Sequence, residues 1–142
     1  MKRTLSIALA LAVFPLYLNA APAKAPAFWA ARSQNVWEFM GSNKYSLRES
    51  YGPFKGSQSA SVKLQEGKKY AFAAVAGNDN GNFHLYLEED GREIFRADYD
   101  WFNNVNIAFE WFNLPKTKSY ILRLKDQTGG MTEYVMYVFE KK

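Results

Sequence analysis

The 142-residue chain contains no cysteine, which excludes a disulfide framework, a thiolate metal site and a cysteine nucleophile. Its single histidine, His84, is the one residue through which a Ser-His-Asp relay would have to pass. No Gly-x-Ser-x-Gly elbow supplies the serine, and the nearest serines are distant in sequence. One histidine with carboxylates alone is also a poor match to the ligand sets that zinc favours. Beyond residue 20 no apolar run approaches the roughly 20 residues that a membrane-spanning helix needs. No stripe of Arg and Lys interleaved with stacking aromatics stands out, so nucleic acid is not the expected partner.

What is present begins with a short basic start, Lys2 and Arg3, followed by a mostly apolar run from Leu5 to Leu18. Leu18-Asn19-Ala20 offers a small residue for cleavage, so Met1 to Ala20 reads as an export signal and the rest as a periplasmic or secreted protein without stable membrane insertion. Removing Lys2 and Arg3 takes Lys+Arg from 18 to 16 against 14 Asp+Glu. The exported part is therefore close to neutral, although the whole chain is basic.

Residues 21–27 (APAKAPA) form a Pro/Ala-rich tether. Residues 28–58 read as an N-terminal arm packing on the rest, with Phe28 to Met40 making a short helix or an irregular segment and Lys44 to Ser50 at most a short strand. From Ser59 onward the hydrophobic period is two. Tyr70, Phe72, Ala74 and Ala76 share one face, and Phe83, Leu85 and Leu87 point away from His84, Tyr86 and Glu88. Val105 to Trp111 and Tyr120 to Leu124 alternate in the same way, whereas Glu133 to Glu140 is apolar on both faces, as in a central strand. Turns rich in Gly, Asn, Asp and Pro separate these segments. The fold class is all-β: an antiparallel, jelly-roll-like β-sandwich of about seven to eight strands, its core spanning residues 59–142.

The segments EGKKYAFAAVAG (66–77), FHLYLEEDGREI (83–94), DYDWFNNVNIAFEW (98–111), SYILRL and EYVMYVF follow an order that resembles the bacterial pre-peptidase C-terminal domain. The overall strand order is also similar to periplasmic inhibitors of invertebrate-type lysozyme. The first resemblance implies a compact sandwich of secreted proteins. The second implies a loop that enters an enzyme cleft, for which Pro115 to Tyr120 is the corresponding stretch; Thr117-Lys118-Ser119-Tyr120 lacks the glycine of that family's Ser-Gly loop.

Two constellations suggest sites. Tyr86, Tyr99, Trp101, Phe102 and Trp111 form an aromatic set suited to sugar rings or a protein partner. Asp79, Asp98, Asp100 and Asn103 supply closely spaced oxygens that suit a weak calcium site; no other cofactor is expected. The reading that follows is a non-catalytic, exported binding module of the cell envelope, recognising a protein or glycan through an aromatic and acidic loop face. An inhibitor of a lysozyme-type wall-degrading enzyme is the alternative, and a small hydrolase is disfavoured for want of partners to His84.

Overall fold

The structure, a computed structural model, describes residues 27–98, 105–110 and 117–142, with side chains described at 32–97 and 117–142. One helix, α1 (Ala27–Ser42), precedes eight strands: β1 (Tyr45–Lys55), β2 (Gln58–Leu64), β3 (Tyr70–Ala76), β4 (Phe83–Glu89), β5 (Arg92–Asp98), β6 (Val105–Glu110), β7 (Lys118–Asp126) and β8 (Glu133–Lys141). They form two four-stranded antiparallel sheets, ordered β1-β8-β3-β6 and β2-β7-β4-β5. First pairs with last, second with seventh, third with sixth and fourth with fifth. This nesting is a long hairpin rolled into two layers, the jelly-roll form of the sandwich.

The two inner faces meet in an aromatic and aliphatic core. Phe72 of the first sheet stacks on Phe95 of the second at 6.1 Å between ring centroids, and Tyr134 meets Phe83 edge-on at 5.0 Å. Val62, Leu64, Leu85, Leu87, Leu122 and Leu124 complete the second sheet's inner face and are fully buried. Their alternation with exposed residues along β2 and β7 is the period-two pattern of strands covered on one side.

The first sheet is covered on both sides. Every residue of β3 is buried, as is β8 from Tyr134 to Phe139. The second cover is α1. Ser33, Val36 and Met40 are buried and Trp37 is half-buried, a stripe at i, i+3, i+4 and i+7 along one helix face. Ser33 Oγ lies 2.7 Å from the Tyr137 hydroxyl, and Trp37 meets the Tyr137 ring edge-on at 6.0 Å. Opposite Tyr137 stands Ala73, and opposite Phe139 stands Ala71. These small side chains leave room for the helix.

α1 is longer than the one or two turns expected from sequence. Its seam position at Ser33 is polar, which interrupts the apolar stripe in sequence, while a hydroxyl partner satisfies it in the fold. The chain leaves the helix through Lys44, whose φ of 65° is left-handed, while Asn43 N–H donates to the Phe39 and Met40 carbonyls.

The expected arm over 28–58 also needs correction. Tyr45–Lys55 is an edge strand of the first sheet, hydrogen-bonded to β8 and longer than the short strand expected at 44–50. Gly52-Pro53 hid it. These two residues fall in a register shift between Tyr51 and Phe54, which an edge strand tolerates because its outer donors need no ladder partner. Gly52 has a φ of 114°, and a Cβ there would stand 2.7 Å from the Tyr134 carbonyl oxygen, so glycine is required. The closing strand β8 lies between β1 and β3, the central position that its two-sided apolarity predicts.

At one end of the sandwich the β7–β8 turn is gathered on Asp126. Its carboxylate accepts from Thr128 N–H (2.9 Å), Thr128 Oγ1 (2.7 Å), Gly130 N–H (2.6 Å) and the Tyr134 hydroxyl (2.5 Å). Gln127 N–H donates to the Asn82 carbonyl and Gly77 N–H to the Glu133 carbonyl, which ties this turn to the β3–β4 loop. Partial burial alone would raise the Asp126 pKa. The bonds from Thr128, Tyr134 and Gly130 outweigh it and hold the carboxyl below its ordinary value. Burial, then the Asp126 bond, pushes the Tyr134 hydroxyl up to about 12.

Two outcomes are expected. Ala73→Leu wedges α1 away from β8 and lowers stability by about 1–3 kcal/mol in urea unfolding; an unchanged midpoint would mean that the helix does not seal this face. Because the folded pKa of Asp126 is depressed, its contribution is full above the unfolded value of about 4 and declines as pH falls through the lower folded value. Asp126→Asn should therefore flatten that acid limb in a thermal scan against pH.

Candidate functional site

With α1 packed on the first sheet, the outer face of the second sheet is the broad surface that no described element covers. Strand alternation decides what it carries. β4 turns Phe83, Leu85 and Leu87 inward and His84, Tyr86 and Glu88 outward. β7 turns Tyr120, Leu122 and Leu124 inward and Ile121, Arg123 and Lys125 outward.

Register then sets neighbours across the strands. Tyr86 stands opposite Arg123 on one side and Arg96 on the other, with Ser59 beyond Arg123. Such directly opposed side chains have Cβ atoms about 5 Å apart. The next row runs Lys125, His84, Asp98, and the one on the other side brings Ser61 and Ile121 to Glu88. The His84 and Tyr86 rings are 6.0 Å apart. Arg123 donates toward Glu88 at 3.0 Å while its own side chain stays 49% exposed, so the ion pair steadies the guanidinium without removing it from solvent. Exposed Ile94 and Ile121 add apolar surface beside Glu88. The result is a cross-strand row with a half-buried tyrosine between two arginines.

Of the aromatic residues expected to bind ligand, Tyr86 is on this face. Tyr99, Trp101, Phe102 and Trp111 lie outside the described residues. The strands that flank them are informative nonetheless. Asp98 pairs with His84 and Val105 with Val75, whereas Glu110 pairs with Tyr70 at the other end of β3. Asp98 and Glu110 therefore lie toward opposite ends of the sandwich.

The register also places the β3–β4 loop at the end where β5 finishes and β6 begins. Asp79 in that loop is already engaged, accepting an ion pair from Arg32 of α1. The Asp98 side chain, Asp100 and Asn103 fall outside the described side chains. Among the described residues no group of three or more His, Asp or Glu is arranged to hold a metal.

The stretch matched to an inhibitor loop is described from Thr117 onward. Thr117 Oγ1 accepts from Glu66 N–H at 3.1 Å, and Lys118 Nζ bridges Glu89 (2.6 Å) and Asp90 (2.8 Å). The bond to Asp90, then that to Glu89, raises the Lys118 pKa. These residues are tied to neighbouring turns. His84 sits on an open sheet face beside Tyr86, the outward position that its alternation with Phe83 and Leu85 predicted.

Arg96, Arg123 and Lys125 were not singled out from sequence as site residues. Alternation gave their outward direction, but only the pairing of β4 with both β5 and β7 assembles them around Tyr86.

No family model matches the chain, and no curated protein matches it. Among solved structures, PliG of Aeromonas hydrophila, a periplasmic inhibitor of g-type lysozyme, aligns at 10% identity and a TM-score of 0.39, covering 69% of this chain and 87% of that one. The Yersinia pseudotuberculosis-derived mitogen aligns at 15% identity and a TM-score of 0.35, over 62% and 86% of the two chains. At these values neither likeness carries a functional assignment.

Proposed function

We propose that this chain is an exported, non-catalytic binding module of the cell envelope and that its binding surface is the open face of the β2-β7-β4-β5 sheet. The observation carrying this reading is the asymmetry of the sandwich: α1 occupies one outer face, and the other presents Tyr86 between Arg96 and Arg123. Tyrosine offers a large, rigid contact with a polar tip, and arginine pairs with carboxylate, phosphate or an aromatic plane. Export is supported by the basic and apolar pattern of Met1 to Ala20. The inhibitor alternative is less favoured by geometry, because Thr117 and Lys118 are engaged within the sandwich.

The test is co-sedimentation with isolated cell envelopes. Wild-type protein should sediment with them, Tyr86→Ala should reduce the bound fraction about tenfold, and Gln34→Ala, on the exposed side of α1, should not. Equal sedimentation of wild type and Tyr86→Ala, with unchanged melting, would defeat the reading. Suppression of a g-type lysozyme in a lysis assay, insensitive to Tyr86→Ala, would favour the inhibitor alternative.

A further inference from the structure

We propose that the ligand of this face is an acidic polysaccharide, with a sugar ring resting on Tyr86 and its carboxylate groups held by Arg96 and Arg123. The inference rests on the binding-face reading above and adds the chemical class of the ligand. Charge complementarity is the first argument. The exported chain is close to neutral; this face carries Lys63, Arg96, Arg123 and Lys125 against Glu88, Glu93 opposite it and, at its edge by register, Asp98, and the Tyr86 row itself holds only basic charge.

Shape is the second argument. Arg123, Tyr86 and Arg96 lie in one cross-strand row, and two strand spacings make that row about 10 Å long. A row of that length, cation-ring-cation, matches an extended polymer with anionic groups on either side of an apolar ring face. Guanidinium pairs carboxylate through parallel hydrogen bonds, and a tyrosine ring gives the uncharged part of a sugar an apolar platform. Glu88, which already holds Arg123 at 3.0 Å, orients that guanidinium and bounds the basic strip on the side of Ile121.

Three polymers separate the contributions of charge and ring when titrated against the purified chain: polygalacturonate, its fully methyl-esterified form, and polyglutamate. The first has both acid and sugar, the second sugar without charge, the third acid without sugar. Polygalacturonate should bind, and its methyl ester should bind at least tenfold more weakly. Arg96→Gln and Arg123→Gln should each weaken polygalacturonate about tenfold, a loss that added salt also produces in the wild type. Tyr86→Ala should weaken it about five- to tenfold while Tyr86→Phe retains it, and neither should alter polyglutamate binding. All these side chains are solvent-facing, so melting temperature serves as the folding control.

Equal affinity for polygalacturonate and its methyl ester would overturn the requirement for charge. Polyglutamate binding as tight as polygalacturonate, with no effect of Tyr86→Ala on either, would overturn the sugar in favour of an acidic peptide. Failure to bind polygalacturonate, with envelope sedimentation still dependent on Tyr86, would overturn the acidic-glycan class and leave the binding face standing. Loss of both would remove both.

Discussion

The structure depends on burying one sheet from two sides. β3 and β8 form the middle of the first sheet, and neither has a face suited to water: one is largely alanine with Phe72 and Val75, the other is apolar from Tyr134 to Phe139. The second sheet covers one side and α1 the other. Without the helix, Tyr137, Phe139 and Val135 would form a contiguous exposed patch, a surface that commonly drives association. Alanines at 71 and 73 keep the layer thin enough for the helix to settle, and the Ser33 hydroxyl meets that of Tyr137 across the seam. Burial also pushes the Tyr137 pKa up, against the lowering effect of its Ser33 bond, so the hydroxyl stays neutral there.

This arrangement makes the two outer faces unequal, and the inequality turns a generic sandwich into one with a direction. Cross-strand register puts Arg96 and Arg123 either side of Tyr86 on the face that no described element covers. The binding proposal relies on that placement rather than on any single exposed side chain.

The sheet faces were legible in the sequence because period-two alternation is a local property of each strand. Tyr120, Leu122 and Leu124 could be assigned inward, and the two-sided burial of Glu133 to Glu140 could be read from its unbroken apolarity. Two elements were not legible. β1 was obscured by Gly52-Pro53, whose usual meaning is a turn, and only the edge location and the shift against β8 make it compatible with a strand. The full length of α1 was not legible because Ser33, the first position of its described buried stripe, depends on a tyrosine 104 residues away. The site was legible at Tyr86 alone. Its arginine neighbours come from β5 and β7, and no local pattern says that β4 lies between those strands.

The nested pairing of the strands bears on how the chain reaches this state. The hairpin β4–β5 is local, but each pair outside it joins segments farther apart in sequence, up to β1 and β8, the first and last of the described strands. The last strand is also the one that joins β1 to β3. Until Glu133–Lys141 is available, the first sheet is two separate pieces and α1 has no Tyr137 to dock against. Loop closure over such distances is slow, so a nascent or threaded polypeptide keeps the sandwich open until β8 arrives.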